Sequence, residues 1–256
     1  MSRISAISST TPYLYGHISS ANRLMSAADG AAELAIVENE KAQVTGYNTG
    51  TKNLGDGTNM LNTSDSALGS ITSHLQRMRE LGLRASNATL NGTNRADIQK
   101  EVEQLKQGIE YIATQTRYNG MNMLDGSMSK GVQLVSDAGG GSVTVNHAAN
   151  STLQALGIED FDVTKDFDLQ SIDDALTKDT SNRSTFGAQS NSLDHAINYN
   201  GYASTNLTAA QSRMGDTDIA KAIQELTHQQ TMQSISMMLQ KKKAEQEGQK
   251  TMGLLF

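Results

Sequence analysis

The stretch NMLNTSDSALGSITSHLQRMRELGLRASNA, residues 59–88, decides the fold. Leu61, Leu68, Ile71, Leu75 and Met78 fall three, four or seven residues apart with polar residues between them, so a helix over this span carries one apolar stripe. At 1.5 Å per residue it is about 45 Å long. Ile98, Val102, Leu105, Ile109 and Ile112 repeat the spacing, and beyond residue 170 so do Ile172, Leu176, Phe186, Leu193, Ile197, Leu207 and Met214. In that last set Asp179, Arg183, Ser190, Asn200 and Gln211 bring polar groups to the seam. A stripe this narrow stabilises a helix only when it lies along a partner, because an isolated helix in water is marginal. The two ends of the chain therefore pair, with each other or with further copies. The predicted fold is mainly α: an elongated antiparallel helical bundle or coiled coil built from both chain ends, with one small β-hairpin.

Composition agrees with long helices. Aromatics make up 4% of the 256 residues, Trp is absent, and Pro12 is the single proline. A proline ring removes one helical hydrogen bond and clashes with the preceding turn, and no such interruption occurs from residue 13 onward. The formal charge of -6 is spread in mixed sign, and no basic patch with interleaved aromatics marks a nucleic-acid partner. Lys241-Lys242-Lys243 is the one basic run and reads as a solvated helix face. Without cysteine there is neither a disulfide framework nor a thiolate metal site.

The opening Met1-Ser2-Arg3-Ile4 lacks the continuous apolar core of a signal peptide, and no run approaches the roughly 20 apolar residues of a membrane span. Export, if it occurs, is expected by a route that removes no leader. His17, His74, His147, His195 and His228 are scattered and form no His-Glu-x-x-His pair, and no Gly-x-Ser-x-Gly elbow occurs. No catalytic, cofactor-binding or metal-binding residue is therefore expected.

Along the chain, residues 4–43 hold a weaker amphipathic pattern (Ile4, Ile7, Leu14, Ile18, Leu24, Leu34, Ile36, Val37) with little apolar area. Gly46, Gly50, Gly55 and Gly57 suggest a looser connector or a weak start to the next helix. Asn91-Gly92-Thr93-Asn94 predicts a turn, with Thr93 or Asn94 capping the following helix and Asp97 in its first turn. That helix is expected to end near Thr116, closed by Asn119-Gly120. Between residues 131 and 147 the period changes to two: Val132 to Val135 and Val143 to Val145 flank a glycine-rich turn, which predicts a hairpin. A phosphate loop is excluded because no Lys-Ser/Thr pair follows the glycines.

Leu153, Leu156, Ile158, Phe161, Val163, Phe167 and Leu169 form a short irregular apolar segment suited to cover one end of a bundle. The long C-terminal helix is expected from Leu169–Ser171 to Met214, ended by Gly215, with Asp216 as the next N-cap. A last helix spans Ile219 to about Gly248, before the closing Gly253-Leu254-Leu255-Phe256.

Several short motifs carry a resemblance. Leu75-Gln76-Arg77-Met78-Arg79-Glu80-Leu81 resembles the Leu-Gln-Arg-x-Arg-Glu-Leu motif of bacterial flagellins. Residues 26–36 resemble that family's Ser-Ala-x-Asp-Asp-Ala-Ala-Gly-x-Ala-Ile segment, and Thr114 to Gly120 its Thr-Gln-Phe-Asn-Gly end. Residues 186–191, 206–214 and 216–218 follow the family order at the C-terminal side. Gly30, Glu33, Asn22 and the Lys241–Lys243 run depart from the pattern. With only 127–170 in the middle, the chain resembles a minimal flagellin lacking the variable outer domains.

The resemblance implies an inner terminal helical domain from 1–43 and 217–256 that is disordered in the monomer, with its helices lining a filament channel. It further implies a helical rod domain from 44–126 and 169–216, and a hairpin and link over 127–168. The implied function is a structural subunit that polymerises with other flagellin subunits into the extracellular flagellar filament, for motility. Export through the flagellar apparatus, an export chaperone and the filament cap are implied partners. Host Toll-like receptor 5 is a further implied ligand, with Gln76, Arg77, Leu81 and Glu101 as candidate contacts. The candidate assembly and packing residues are Leu68, Ile71, Leu75, Met78, Ile98, Val102, Leu105, Ile109, Leu193, Ile197, Leu207 and Met214. A hook-filament junction protein, which shares the terminal helices, is the alternative.

Overall fold

The computed structural model describes residues 12–146 and 149–252, so Ile4, Ile7, His147 and the closing Gly253-Leu254-Leu255-Phe256 lie outside the described residues. A short helix α1 (12–20) precedes α2 (Ala27–Ala85), which is broken by a kink at Gly30 with φ 155° and ψ 88°, and α3 (Gly92–Gln115). Strands β1 (Arg117–Tyr118), β2 (Met121–Asn122), β3 (Val132–Val135) and β4 (Ser142–Val145) follow, then α4 (Leu153–Leu156), α5 (Gln170–Gly215) and α6 (Ile219–Met252). The chain is thus mainly helical, with two small antiparallel strand pairs, β1 with β2 and β3 with β4. Gln43–Ser204 form one compact unit; the described residues up to Ala42, with those from Thr205 onward, form a second.

In the first unit the α2 stripe is the centre of the core. Leu54, Met60, Leu61, Leu68, Ile71, Leu75, Met78 and Leu81 are buried together with Ile98, Val102 and Ile109 of α3 and Ile172, Phe186 and Leu193 of α5. Each such side chain contributes about 1.5–3 kcal/mol when fully buried. The irregular segment after the hairpin joins this core through Leu156, Ile158, Phe161 and Val163. It has little secondary structure to satisfy its backbone, and α3 and α5 side chains do so instead. Gln99 accepts from Val163 N at 2.8 Å, Glu110 accepts from Leu153 N at 2.9 Å, and Lys178 donates to Ala155 O at 2.9 Å.

Four local expectations are corrected. The glycine tract at 46–57 is no connector, since it lies inside α2. It is the place where the β3–β4 hairpin meets the helix: a Cβ on Gly46 would strike Ala138, one on Gly50 the Ser136 carbonyl, and one on Gly57 the Leu134 side chain. Amides then fasten the hairpin, Asn53 donating to Val135 O at 3.0 Å and Asn200 to Ser136 O at 2.7 Å. Asn91, rather than Thr93 or Asn94, caps α3, its side chain accepting from Asn94 N at 2.8 Å, and no acidic residue occupies the first turn. Asn119-Gly120 does not close α3 but turns β1 into β2, with φ of 48° and 79° in the two central positions of that tight turn. Asp218, not Asp216, caps α6, accepting from Lys221 N at 3.1 Å, while Asp216 accepts from the Ser212 hydroxyl.

The polar seam between α2 and α5 is satisfied unevenly. Arg183 forks onto Asp65, with Nε to Oδ1 at 2.9 Å, and Arg79 reaches Asp173 at 2.6 Å. Asp179 is fully buried and accepts from the Thr72 hydroxyl at 2.6 Å, while its other carboxylate oxygen finds no partner. Burial pushes the Asp179 carboxyl above its ordinary 3.8, against the pull of the Thr72 hydroxyl and the Arg183 charge; Asp65 adds to the rise.

In the second unit the chain strands around residues 21–23 and 215–217 are tied by backbone bonds, Arg23 N to Gly215 O at 2.7 Å and Thr217 N to Ala21 O at 2.9 Å. The Arg23 guanidinium donates to both Met214 O and Glu33 at 2.8 Å. Among its described residues Leu24, Val37 and Ala222 are the buried apolar ones.

Two substitutions on α2 should move stability in opposite directions. Gly50→Ala should destabilise the full chain, by about 1–3 kcal/mol, because the Ser136 backbone cannot give way. Gly55→Ala, which meets open space, should stabilise it by up to about 1 kcal/mol. Chemical denaturation followed by circular dichroism measures both, and equal effects would refute the glycine groove.

Asp179 makes a pH-dependent contribution. Because its folded pKa is raised, the native state holds this proton more tightly than the unfolded chain, so the contribution to stability falls as pH rises above about 3.8. Asp179→Asn should therefore gain on the unaltered chain as pH rises from below 3.8 to neutral. Denaturation midpoints of the two proteins between pH 3.5 and 7 test this, and a constant difference would refute it.

Candidate interaction surface

Side chains of the packing set are placed largely inside single copies of the chain. Leu68, Ile71, Leu75, Met78, Val102, Ile109 and Leu193 are fully buried in the first unit, and Ile98 nearly so; Leu105 and Ile197 are half-buried against the same core. Leu207 and Met214 are half-exposed. On the outside of the first unit Tyr111, Tyr199 and Tyr202 are exposed together with Leu83 and Val135, and Tyr199 meets Tyr47 edge to face with ring centres 6.3 Å apart.

The four residues singled out as receptor contacts divide. Gln76 and Arg77 lie on the exposed side of α2, and Glu101 on the adjoining side of α3. Arg77 Nε donates to Glu101 at 2.8 Å and its terminal nitrogen to Glu80 at 3.0 Å, and these carboxylates hold the guanidinium above its ordinary pKa. Leu81 is a correction: it is 2% exposed and turned into the core, because it continues the apolar spacing of Leu68, Leu75 and Met78. It reaches the surface only as the floor of a shallow groove that Arg84, Leu90, Asn94, Asp97, Ile98 and Glu101 complete.

The second unit turns the usual helical logic around. Along α6 the sheltered positions are Ala222, Leu226, Gln229, Gln233 and Ser236, spaced three and four apart and mostly polar. The large apolar residues Ile223, Met232, Ile235, Met237, Met238 and Leu239 face outward, Met238 being 72% exposed. Sequence reasoning took α6 for one more ordinary amphipathic helix and did not find this outward set. The available signal was that Met232, Ile235 and Leu239 fall on a different face from Ala222 and Leu226.

Among the described residues no group of three or more His, Asp or Glu side chains could hold a metal ion, and no helix is long and apolar enough to cross a membrane. The described histidines stand apart. His17 is buried and bonded to Asn22 O at 2.7 Å, His74 is bonded to Ser70 O at 2.8 Å, and His195 and His228 are exposed.

Comparison with known proteins places both ends of the chain. Residues 2–129 match the family model of the bacterial flagellin N-terminal helical region, and residues 169–255 that of the C-terminal helical region. A flagellin of Halalkalibacterium halodurans is 36% identical over 216 residues, which span 82% of this chain and 79% of that protein. A flagellin of Bacillus subtilis strain 168 is 31% identical over 264 residues, spanning 89% and 87%. The crystal structure of Bacillus cereus flagellin superposes with a TM-score of 0.51 and 35% identity, over 58% of this chain and 88% of that one.

Proposed function

The chain belongs to the bacterial flagellin family, and from that premise we propose that its outward apolar residues are contact sites for further copies within a flagellar filament. At the coarser level it is a structural subunit of that extracellular filament rather than an enzyme. The single observation that carries the finer reading is the α6 surface: Met232, Ile235, Met237, Met238 and Leu239 stay in water while Gln229 and Gln233 take the sheltered side. Such apolar exposure marks an interaction surface.

Residues 1–43 and 217–256 are then an inner domain whose helices fold fully only when neighbouring copies cover them, which couples folding to assembly. Residues 44–126 and 169–216 are the rod, and 127–168 the hairpin and link. An unfolded terminal domain suits passage through the flagellar export apparatus with an export chaperone, and capture beneath the filament cap. The flagellin relatives favour this role over that of a hook-filament junction protein.

Recognition by host Toll-like receptor 5 is the second reading, favoured by the exposed cluster of Gln76, Arg77 and Glu101 beside the groove floored by Leu81. An arginine fork already held by carboxylates is oriented for a partner's acceptors at little entropic cost.

Two experiments test these readings. A chain lacking 219–256 should form no filaments by electron microscopy; normal filaments from it would overturn the assembly reading. Arg77→Ala should weaken receptor binding about tenfold or more and leave filament formation intact, since exposed ion pairs add less than about 1 kcal/mol to stability. Equal loss of both would assign Arg77 to subunit contact instead.

A further inference from the structure

The second unit carries opposite charge at places it cannot bring together by itself. Residues 26–40, at the start of α2, contain Asp29, Glu33, Glu38 and Glu40, and Lys41 just beyond them pairs with Glu38, leaving Glu33 and Glu40 on the other side of the helix. Glu33, Ile36 and Glu40 fall at i, i+3 and i+7 on one flank of the helix, and Ile36 is exposed at their centre. Near the other end of α6, Lys241-Lys242-Lys243 follow the exposed Ile235, Met238 and Leu239, with Ile235, Leu239 and Lys242 again at i, i+4 and i+7. One flank is apolar and acidic, the other apolar and basic.

Intramolecular pairing is ruled out by length. Glu33 is fixed near the α5–α6 junction, because Arg23 donates to both Glu33 and Met214 O. From Ile219 at the start of α6 to Lys242 a rigid helix runs about 35 Å, more than three Debye lengths at physiological salt. Among the described residues none of the three lysines takes part in an ion pair. Three neighbouring ammonium groups beside an apolar patch repel one another and are costly to cover unless the covering surface is acidic.

We propose that Lys241, Lys242 and Lys243, with Met238 and Leu239, dock on the Glu33–Ile36–Glu40 flank of a second copy of this chain. This inference rests on the filament reading and names one contact within it. Because the two surfaces differ, the contact is heterologous: each copy offers its basic flank to one neighbour and its acidic flank to another. Such a contact propagates as an open helical polymer instead of closing as a dimer. It assigns a function to the basic run that departs from the flagellin pattern, and it makes elongation depend on ionic strength.

The test is seeded elongation of full-length protein, followed by light scattering and electron microscopy. A basic-flank variant (Lys241→Glu, Lys242→Glu, Lys243→Glu) and an acidic-flank variant (Glu33→Lys, Glu40→Lys) are each expected to raise the critical concentration about tenfold or more, since like charges then face each other. Mixed in equal amounts they should elongate again, because each supplies the flank the other has reversed. Circular dichroism monitors folding, and Glu40→Lys alone replaces the acidic-flank variant if loss of the Arg23–Glu33 pair unfolds it. Unchanged elongation of the basic-flank variant, with the salt dependence of the unaltered chain, overturns the proposal while leaving the filament reading standing. Failure of the mixture to recover overturns it too, as does normal elongation accompanied by lost binding to phosphatidylserine vesicles, which assigns the lysines to a lipid surface. If the unaltered chain fails to elongate, the filament reading falls with it.

Discussion

A stripe of leucine, isoleucine and methionine on α2 must be kept from water, and no other part of α2 can do this. Everything in the first unit answers that requirement. Helix α3 returns along the stripe from one side, α5 arrives from the far end of the chain, and the irregular segment after the hairpin closes over what remains. Charged pairs such as Arg79–Asp173 and Arg183–Asp65 border the contact and are exposed enough that their part is alignment more than stability. Burial of the stripe supplies the free energy, and the polar groups choose the register.

The two units spend their apolar residues differently. In the first, large side chains point inward and the seam contains only isolated polar members, of which Asp179 is the costly one. In the second, Gln229, Gln233 and Ser236 are sheltered and the methionines face water. A helix built this way adheres weakly to its own chain and well to something else. In the proposed filament role that something is a further copy, and the same arrangement accounts for why only weak amphipathic patterns occur at the two ends of the sequence.

Long helices and the hairpin were legible because their signals are periodic: three-and-four spacing at Leu68, Ile71 and Leu75, alternation at Val143 to Val145. The strengths of the reading stop where a residue's meaning depends on something distant in sequence. Gly46 and Gly50 resemble loop residues until Ala138 and Ser136 are found lying against them. Leu81 looks like part of a surface motif until its neighbours Met78 and Leu75 show which way that face turns. Caps were missed by two residues or so, Asn91 and Asp218 being chosen over Thr93 and Asp216, since several good capping residues stand side by side and only backbone geometry decides among them. The outward set on α6 was hidden because a count of apolar residues does not report which face they occupy.

The partners that close the first unit are far apart in the chain. Arg79 meets Asp173 across 94 residues, Asp65 meets Arg183 across 118, and Asn48 meets Ser204 across 156. Such contact order means that the entropy of closing large loops must be met before any of these contacts can reward it. A chain delivered from its N-terminus therefore carries an exposed and incomplete core until its last third arrives, and folding is timed by the end of delivery instead of by its beginning.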